Sequence, residues 1–456
     1  MRRSWDALLL AALLIARVRI DTLAEMVLPT RHQDVARHPL LGHLLPEQGM
    51  ALLADWLSDP LTLVGISIAF TLLLVYLAVD ALADGPDDAR AYRAKMALIW
   101  AIIIITVFAP TAKLILLRQQ SGPASYTHDG GVIQTEAVIQ FFLAGKNPYV
   151  EDYLDTPMAE WGIDYRTALY HFPYLPWTFV FSTPFYLLGK AVIGYYDQRV
   201  VYLLLFALAL ALAPQLASRR GDRLMLTMLL GLNPIMASDV IFGQNDSFVL
   251  AWIVISLWAW KRAAETGRAR WWAASSVAYG LACASKPTAW FLAPFLAMLW
   301  LDQSRVDWPT LRRSVGLIAR RAAPAAIAFL LLVLPYLIWD AGAMFDDVWR
   351  WSSGTSETSY QIRGWGLSNF VLALGLVPDR LAYWPFWIPE ILVAAPLLAL
   401  GLRAQMRRNN VGTACWGYGL LLFGFLFASR FLNENYLGYI LAFLALGVLS
   451  GEREDA

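Results

Sequence analysis

The sequence predicts an all-α, polytopic membrane protein, and three observations lead to this prediction. Apolar residue types make up 58% of the 456 residues, and the mean hydropathy is +0.50. Charged residues make up 16%, against about 25% in soluble globular domains. The apolar residues fall in runs of about 20, the length at which a helix crosses a hydrocarbon core of roughly 30 Å. These features exclude a secreted domain, a coiled coil and a disordered chain.

The hydropathy pattern predicts about 12–13 transmembrane spans. The first apolar run is short and ends at Arg17 and Arg19, so a short span, an interfacial helix and part of a signal all stay open for it. The predicted spans are 4–20, 61–83, 94–117, 173–193, 198–217, 223–241, 247–261, 271–285, 288–302, 319–340, 384–402, 411–428 and 435–450.

Clusters of arginine and lysine set the expected sides of the membrane, because cytoplasmic loops carry an excess of these residues. The clusters lie at 90–95, 261–270, 305–321 and 403–408. Counting crossings from them puts 118–172, 243–247, 341–366 and 429–436 on the other side, together with Lys286. Residues 118 and 243 are both expected on the non-cytoplasmic side, so an even number of spans must cross the membrane between them. The pattern predicts three. Either 173–193, which is rich in proline, or 223–243, which contains Asn233-Pro234, therefore does not cross fully.

Charge, cysteine content and motifs exclude several classes of function. A net charge of +1 offers no basic excess for a nucleic acid. Cys283 and Cys415 both lie in apolar runs, which is typical of buried thiols and not of a disulfide framework. The chain has no HExxH, P-loop, nucleophile elbow or dinucleotide-binding fingerprint. No acidic cluster has the pattern of a metal site.

Asp129 opens the longest predicted non-cytoplasmic loop, soon after a span ends. Apolar residues between Val132 and Leu143 follow with a helical period, which predicts a helix on the membrane surface with one apolar face. The residues Gly145-Lys146-Asn147-Pro148 are expected to end it. A carboxylate here is well placed to meet a lipid headgroup. The alternative is that Asp129 caps the helix, since aspartate is a preferred N-cap residue.

Two polar segments between apolar runs are further candidates for ligand binding. His171, in Tyr170–Pro176, suits a phosphate or a proton, although a lone interfacial histidine is more often structural. Gln244 and Asn245 offer donors and acceptors that suit sugar hydroxyls. Asp246 is the natural N-cap of the helix that follows, and taken alone this capping interpretation is favoured.

Three cations lie in the predicted non-cytoplasmic segments, and two of them suit a phosphate. Lys286 is at a helix junction among apolar residues, where a lysine is costly unless it is paired, snorkels or meets an anion. Arg430 is the only cation of 429–436 and suits phosphate oxygens, with anchoring at the interface as the alternative. Arg363 lies in an aromatic-rich loop, Phe345–Gly366, which suits either a sugar ring or an ordinary interfacial belt.

Taken in order, these segments resemble the motifs of the GT-C membrane glycosyltransferases. The chain is most similar to glycosyltransferase family 87, the polyprenyl-phosphate-mannose-dependent mannosyltransferases, over about residues 94–450. The motifs are His128-Asp129-Gly130 with the helix ending at Phe142–Tyr149, then Phe172–Pro176, Gly243–Ser247, Gly280–Thr288 and Arg430–Tyr436.

The resemblance implies a GT-C fold with an extracytoplasmic active site, in what is expected to be a bacterial plasma membrane. It implies inverting transfer of a sugar, expected to be mannose, from a polyprenyl-phosphate donor to a glycan or glycolipid acceptor. Neither a metal nor another cofactor is implied. Asp129 matches the position of the base. The residues expected to bind the donor phosphate are Lys286, Arg430, His171 and Arg363, and those expected to bind sugar or acceptor are His128, Tyr149, Gln244, Asn245, Asp246, Asn433 and Glu434.

The chain is expected to divide into three parts. Residues 1–93 form N-terminal hydrophobic segments and a connector, 94–302 form a catalytic membrane module with the loop 118–172, and 303–456 form a C-terminal module with the loop 341–366. Two other functions share parts of the pattern. A transporter or flippase of a lipid-linked sugar would need the cations and aromatic residues but no base. A non-catalytic scaffold of envelope assembly would use Asp129 only as a cap.

Overall fold

A computed structural model describes residues 4–27, 32–57, 59–85, 88–127, 129–161 and 166–451, apart from the side chains of 20–27, 32 and 129. The described residues are mainly helical and include only one pair of two-residue strands, which confirms the predicted all-α class. The helices are α1 Trp5–Val27, α2 His32–Arg37, α3 Glu47–Ala54, α4 Pro60–Leu82, α5 Ala89–Ile103, α6 Ala109–Ser121, α7 Thr135–Leu143, α8 Trp177–Ile193, α9 Arg199–Leu212, α10 Arg220–Gly231, α11 Pro234–Phe242, α12 Asp246–Thr266, α13 Ala269–Cys283, α14 Ala293–Leu299, α15 Trp308–Arg313, α16 Val315–Phe345, α17 Trp351–Ser353, α18 Ser368–Ala373, α19 Trp387–Arg407, α20 Val411–Ala428 and α21 Glu434–Leu449.

Shorter elements link or interrupt these helices. Two of the π-helical segments, Asp129–Gln134 and Asp346–Arg350, lie in the long predicted loops. The strands β1, Arg363–Gly364, and β2, Phe431–Leu432, form a parallel pair that joins distant loops. The remaining short elements are the π-helix Ile104–Phe108 and the 3₁₀ helices Leu41–His43, Pro157–Glu160, Thr167–Leu169, Ala213–Leu216 and Pro287–Leu292.

Seven helical stretches in the described part of the chain are long and apolar enough to cross a membrane, and each coincides with a predicted span. Three further predicted spans correspond to shorter apolar helices, Trp177–Ile193, Pro287–Leu299 and Glu434–Leu449. α1 and α13, over the predicted spans 4–20 and 271–285, are in neither group. The seven stretches are Pro60–Leu82, Ala89–Ser121, Arg199–Leu216, Asp246–Thr266, Val315–Ser353, Trp387–Arg407 and Val411–Ala428.

Of the two segments that are alternatives for an incomplete crossing, 223–243 is broken at Asn233-Pro234. α10 ends at Gly231, and α11 begins at Pro234 with a bend of 48° between the two helices. The Asn233 side chain caps α11 by accepting the backbone N–H of Ile235 at 3.1 Å. Proline fits the first turn of a helix but cannot continue the preceding one, so the sequence itself dictates this break. α11 then ends at Gly243, whose φ of +95° suits glycine.

A buried ionic group fastens the N-terminal helices to the rest of the bundle. Lys95 Nζ on α5 lies 2.7 Å from Asp6 Oδ2 on α1 and 2.5 Å from Asp80 Oδ1 on α4. All three side chains are at least nine-tenths buried. The predicted parts 1–93, 94–302 and 303–456 share one hydrophobic cluster, which runs from Ala7 to Leu449. The three-part division stays a prediction.

Candidate active site

One cavity of about 920 Å³ gathers most of the predicted site residues. One part of its wall is apolar and comes from residues 287–294, α19 and α20. Another part is polar and contains Gln244, Asn245, Lys286, Arg363, Arg430, Asn433 and Glu434. Within the described residues, His171, Tyr149 and Asp246 do not line the cavity but bond to residues around it. His128 lies outside the described residues.

The segment that opens at Asp129 forms one edge of the cavity. Asp129 is the first residue of a π-helix that leads into α7, and its neighbours Gly130 and Gly131 line the cavity. Its side chain lies outside the described part of the structure. The predicted helix is confirmed, and Gly145 follows its end with φ of +71°. Residues 130–139 are nearly all buried, so the first half of the helix is enclosed by the protein, whereas Gln140 and Leu143 near its end are exposed.

Two tight contacts fix the position of this π-helix relative to the Gly243 turn and to α9. A Cβ added at Gly131 would lie 2.0 Å from the Gly243 carbonyl oxygen, so only glycine allows the two segments to approach this closely. The buried Tyr202 hydroxyl donates a hydrogen bond to the Gly131 carbonyl. The motif around Asp129 and the motif that begins at Gly243 are therefore in direct backbone contact.

A buried network of two arginines and two carboxylates supports the same segment from behind. Arg118 donates to both carboxylate oxygens of Glu136, each at 2.8 Å, and to Asp197 at 2.9 Å. Arg199 donates to both oxygens of Asp197, at 2.9 and 2.8 Å. A further donor of Arg199 reaches the Tyr126 carbonyl at 2.8 Å, three residues before Asp129.

The charges in this network stabilise one another. Burial would raise the pKa of the Asp197 carboxyl, but Arg199 and Arg118 outweigh burial and hold this pKa at about 2. The sequence analysis did not identify this network. Its only signal is Asp197-Gln198-Arg199, three polar residues between two apolar runs, whose partners are far away in the sequence.

Lys286 is bonded to two of the other motifs. Its Nζ lies 2.7 Å from Asp246 Oδ1 and 3.3 Å from Asn245 Oδ1. The Tyr436 and Tyr174 rings lie 4.8 and 5.7 Å from the same nitrogen. The Lys286 side chain is 8% exposed, so it is paired and does not snorkel.

The capping interpretation of Asp246 is wrong. Asn245 occupies the N-cap position of α12, and Asp246 is the first helical residue. The Asp246 carboxylate is fully buried and accepts hydrogen bonds from Lys286 and from Asn435 Nδ2. A carboxylate near a helix start would favour capping only if no buried cation competed for it, and here Lys286 does.

Backbone hydrogen bonds bring the proline-rich segment beside Lys286. The backbone N–H groups of Leu175 and Trp177 donate to the carbonyls of Ser285 and Ala284, at 3.0 and 2.9 Å. The proline positions prevent a helix here and leave the chain extended for this pairing. The Tyr149 hydroxyl donates to the Tyr174 carbonyl at 2.9 Å. Tyr149 therefore supports the segment from outside the cavity.

Arg430 lines the cavity but donates mainly to backbone carbonyls. Its Nε bonds the Tyr360 carbonyl at 2.6 Å, and its two terminal nitrogens bond the carbonyls of Ala382 and Leu381, each at 2.9 Å. These bonds tie the last loop to the loops around 360 and 381. Burial lowers the pKa of the Arg430 guanidinium to about 10, although Asp379 acts in the opposite direction. The group is therefore a desolvated cation at neutral pH. Beside it, Arg363 in β1 pairs with Phe431 in β2.

His171 connects the proline-rich segment to the loop after α16. Its Nδ1 lies 2.7 Å from Asp347 Oδ1 and 3.7 Å from Asp346 Oδ2, and its Nε2 lies 2.5 Å from Thr358 Oγ1. The side chains of His171, Asp346 and Asp347 are grouped closely enough to ligate a metal. Both ring nitrogens are, however, already bonded to protein atoms. In this arrangement the group fixes one loop against another.

Four buried polar atoms on lining residues have no hydrogen-bond partner among the described residues. They are Asn245 Nδ2, Thr288 Oγ1, Trp351 Nε1 and Asn433 Oδ1. Buried polar atoms in proteins are nearly always satisfied, and these four belong to residues of the cavity wall. The set contains donors and acceptors, which suits a ligand rich in hydroxyl groups.

The charge of the cavity wall is mainly positive. Among the described lining residues, four are cations and two are carboxylates, Glu390 and Glu434. The cations are Lys286, Arg363, Arg380 and Arg430. A partly buried excess of positive charge favours an anionic ligand, because the charge is shielded only weakly from an anion in the cavity.

Comparison with known proteins supports a glycosyltransferase that transfers mannose. Residues 141–302 match the model of the MptA_B family, described as alpha-(1->6)-mannopyranosyltransferase, N-terminal domain. The matched range contains Tyr174, Gln244 and Lys286, whereas Asp129 and Arg430 lie outside it. No curated protein and no solved structure matches the chain.

Proposed function

We propose that this chain transfers mannose from a polyprenyl-phosphate donor to a hydroxyl group of a glycan or glycolipid acceptor at the non-cytoplasmic face of the membrane. One observation supports this proposal above the others. A single cavity combines a cation-rich polar wall with an apolar wall formed by α19, α20 and residues 287–294. A lipid-linked sugar phosphate has the same division into a charged sugar phosphate and an apolar chain.

The apolar wall suits the polyprenyl chain. Phe291 and Phe425 pack against each other with ring centroids 4.6 Å apart, and Leu421 and Leu422 lie beside them. No residue of α19 between 387 and 404 is buried inside the protein. In a bilayer, this helix would therefore face lipid. A lipid tail in the cavity would therefore be close to the bilayer from which the donor comes.

The donor phosphate would lie at Lys286. Asp246 and Asn245 accept from its ammonium group, which has three N–H donors, so a third can reach a phosphate oxygen. Arg363 is a second candidate for the phosphate. Arg430 uses most of its donors on backbone carbonyls, so its role would be to supply positive charge and to hold the loops that close the cavity. His171, bonded on both nitrogens, would act in the same indirect way.

Asp129 would act as the base. An acceptor hydroxyl oxygen attacks the anomeric carbon and passes its proton to the Asp129 carboxylate, while the bond between that carbon and the phosphate oxygen breaks. The electron pair of this bond leaves with the polyprenyl phosphate, where nearby cations stabilise it. If the product has the α-(1→6) linkage named for the matching family, inversion requires a β-linked donor.

The unpartnered atoms of Asn245, Asn433, Thr288 and Trp351 would bind sugar hydroxyls. Gln244 and Glu434 line the same wall and would contribute to this subsite. His128 and Tyr149 stay candidates from the resemblance alone, Tyr149 through its bond to the Tyr174 carbonyl.

Replacement of Asp129 tests the proposal. We expect Asp129→Asn to lower mannosyl transfer by the pure protein in detergent by about 10²–10⁴-fold, the usual contribution of a general base. Asp155→Asn, which removes an exposed carboxylate from the same loop, is the matched control and should retain wild-type activity. Retained turnover in Asp129→Asn excludes this residue as the base.

The same assay separates the alternative functions. Wild-type protein that binds polyprenyl-phosphate mannose but forms no glycosidic product would indicate a transporter or flippase. A scaffold would tolerate Asp129→Ser, which retains a capping side chain and removes the base.

A further inference from the structure

A second cavity, of about 220 Å³, lies at the other end of α12 from the candidate active site. It is lined by Gln215, Arg223, Trp258, Lys261, Arg262 and Glu265. Lys261 follows Asp246 by four turns of α12, which places it about 22 Å further along the helix axis. Since α12 is long and apolar enough to span a bilayer, the two cavities lie near opposite faces of the membrane.

Two cations of this small cavity donate to backbone carbonyls. Arg223 Nε donates to the Ala217 carbonyl at 2.9 Å, and Lys261 Nζ donates to the Gln215 carbonyl at 2.6 Å. Among the described residues that line the cavity, Glu265 supplies the one carboxylate, and it lies 3.2 Å from Arg262 Nη1. Three cations and one carboxylate leave an excess of positive charge, which favours an anion.

The cavity lies at the level of the lipid headgroups. It is formed where the 3₁₀ helix Ala213–Leu216, α10 and α12 come together at the end of the bundle. Trp258 donates to Gln215 Oε1 at 2.9 Å and stacks beneath the Arg262 guanidinium, 5.4 Å away. Tryptophan that is half in apolar and half in polar surroundings is characteristic of the membrane interface.

An apolar stripe runs towards the cavity along α9. Val200, Leu204 and Leu208 recur every four residues on one face and are 48%, 52% and 40% exposed. Such a face would contact acyl chains in a bilayer. A phosphate with acyl chains attached fits this position better than a soluble anion, because its chains would lie against the end of the stripe nearest the cavity, at Leu208, while its charge meets the cations.

We infer that this cavity binds the phosphate of an anionic phospholipid headgroup, with the acyl chains along α9. Phosphatidylglycerol in nanodiscs is the test ligand, phosphatidylcholine nanodiscs are the neutral-lipid control, and inorganic phosphate is the soluble anion. We expect the full-length protein to unfold at a higher temperature in phosphatidylglycerol than in phosphatidylcholine, and inorganic phosphate to give no such rise.

Charge removal within the cavity provides the decisive comparison. Each cation near an anionic lipid surface contributes about a fivefold factor in affinity, so Arg223→Gln/Arg262→Gln should weaken retention of phosphatidylglycerol by about 25-fold. Arg268→Gln/Arg270→Gln removes the same charge from exposed positions near the same end of α12 and should weaken retention much less, because these side chains lie outside the cavity. Native mass spectrometry of bound lipid measures both.

The single variant Arg262→Gln tests whether misfolding could explain a loss of lipid binding. Arg262 contacts Glu265 and Trp258 on its own helix, so its replacement should leave the fold and mannosyl transfer in detergent intact while lipid retention falls about fivefold. Equal losses in the test and control double variants would show a diffuse surface charge and overturn the inference. A rise in unfolding temperature with inorganic phosphate alone, or no preference for phosphatidylglycerol, would also overturn it.

Discussion

Lys286 is the residue at which the separate motifs of the candidate site meet. It bonds Asp246 and Asn245 from the start of α12, and the rings of Tyr174 and Tyr436 flank it. Because Asp246 neutralises its charge, Lys286 can be buried at low cost while one N–H donor stays available. The proposed phosphate-binding role of Lys286 would therefore be combined with a structural role in one side chain, and a mutation must separate the two.

We predict that Lys286→Met weakens donor binding at least tenfold and acceptor binding less. It also leaves the Asp246 carboxylate buried without its cation, at a cost of about 3–5 kcal/mol. The double variant Lys286→Met/Asp246→Asn should recover most of this stability without recovering donor affinity. Thermal unfolding and equilibrium binding of polyprenyl-phosphate mannose measure the two effects.

Lys190→Met, at an exposed position of α8, is the control and should change neither quantity. A double variant that is stable and binds the donor as tightly as wild type would limit Lys286 to a structural role.

At the scale of elements, the π-helix Asp129–Gln134 decides where the proposed base is placed. It is held by the Gly243 turn in front, by Tyr202 at the side and by the Arg118–Glu136–Asp197–Arg199 network behind. None of these supports touches the cavity directly through a charged group. Their effect on activity would therefore pass through the position of the backbone beside Asp129.

We predict that Gly131→Ala lowers transfer by about 10²-fold or more, because the new Cβ would meet the Gly243 carbonyl oxygen and displace the segment that carries the base. The overpacking should also cost about 1–3 kcal/mol of stability. Steady-state kinetics at saturating donor and thermal unfolding measure the change.

Gly221→Ala serves as the control, because no atom lies within 4 Å of its added Cβ and its backbone is helical. It should retain full activity. Equal activity of Gly131→Ala and wild type would mean that this close approach does not position the base.

At the scale of the whole molecule, the N-terminal helices α1 and α4 are joined to α5 by buried charge as well as by apolar packing. Lys95 lies between Asp6 and Asp80, and Tyr76 donates to Asp6 at 2.5 Å. A buried group of this kind contributes little net stability when complete, but breaking it is costly because the remaining charges stay buried.

We predict that Lys95→Met lowers stability by about 3–5 kcal/mol, since it leaves two carboxylates buried without a cation. The triple variant Lys95→Met/Asp6→Asn/Asp80→Asn should recover much of this loss. Arg93→Gln, exposed on the same helix, is the control. The measurement is the unfolding temperature in one detergent, and an unchanged value for Lys95→Met would show that apolar packing alone holds these helices.

The class of the fold, the positions of most long helices and the segments of the candidate site can be predicted from the sequence alone. Apolar runs predict membrane-spanning helices from the sequence because such a helix forms all its backbone hydrogen bonds within its own segment. The sequence also indicates a break at Asn233-Pro234, because proline cannot continue a helix. The motifs also indicated mannosyl transfer before any partner of Lys286 was known.

The pairing of the charged groups, in contrast, depends on the tertiary structure. Asp246 was expected to cap its helix and instead binds Lys286, 40 residues away, while Arg430 donates to carbonyls around 360 and 381. The Arg118–Glu136–Asp197–Arg199 network is signalled in the sequence only by the polar run Asp197-Gln198-Arg199, which does not identify its partners. An unpaired buried charge is costly because it is desolvated, so each buried charged group pairs with an opposite charge or a carbonyl that packing brings near. Which partner is near depends on contacts between helices that are distant in the sequence.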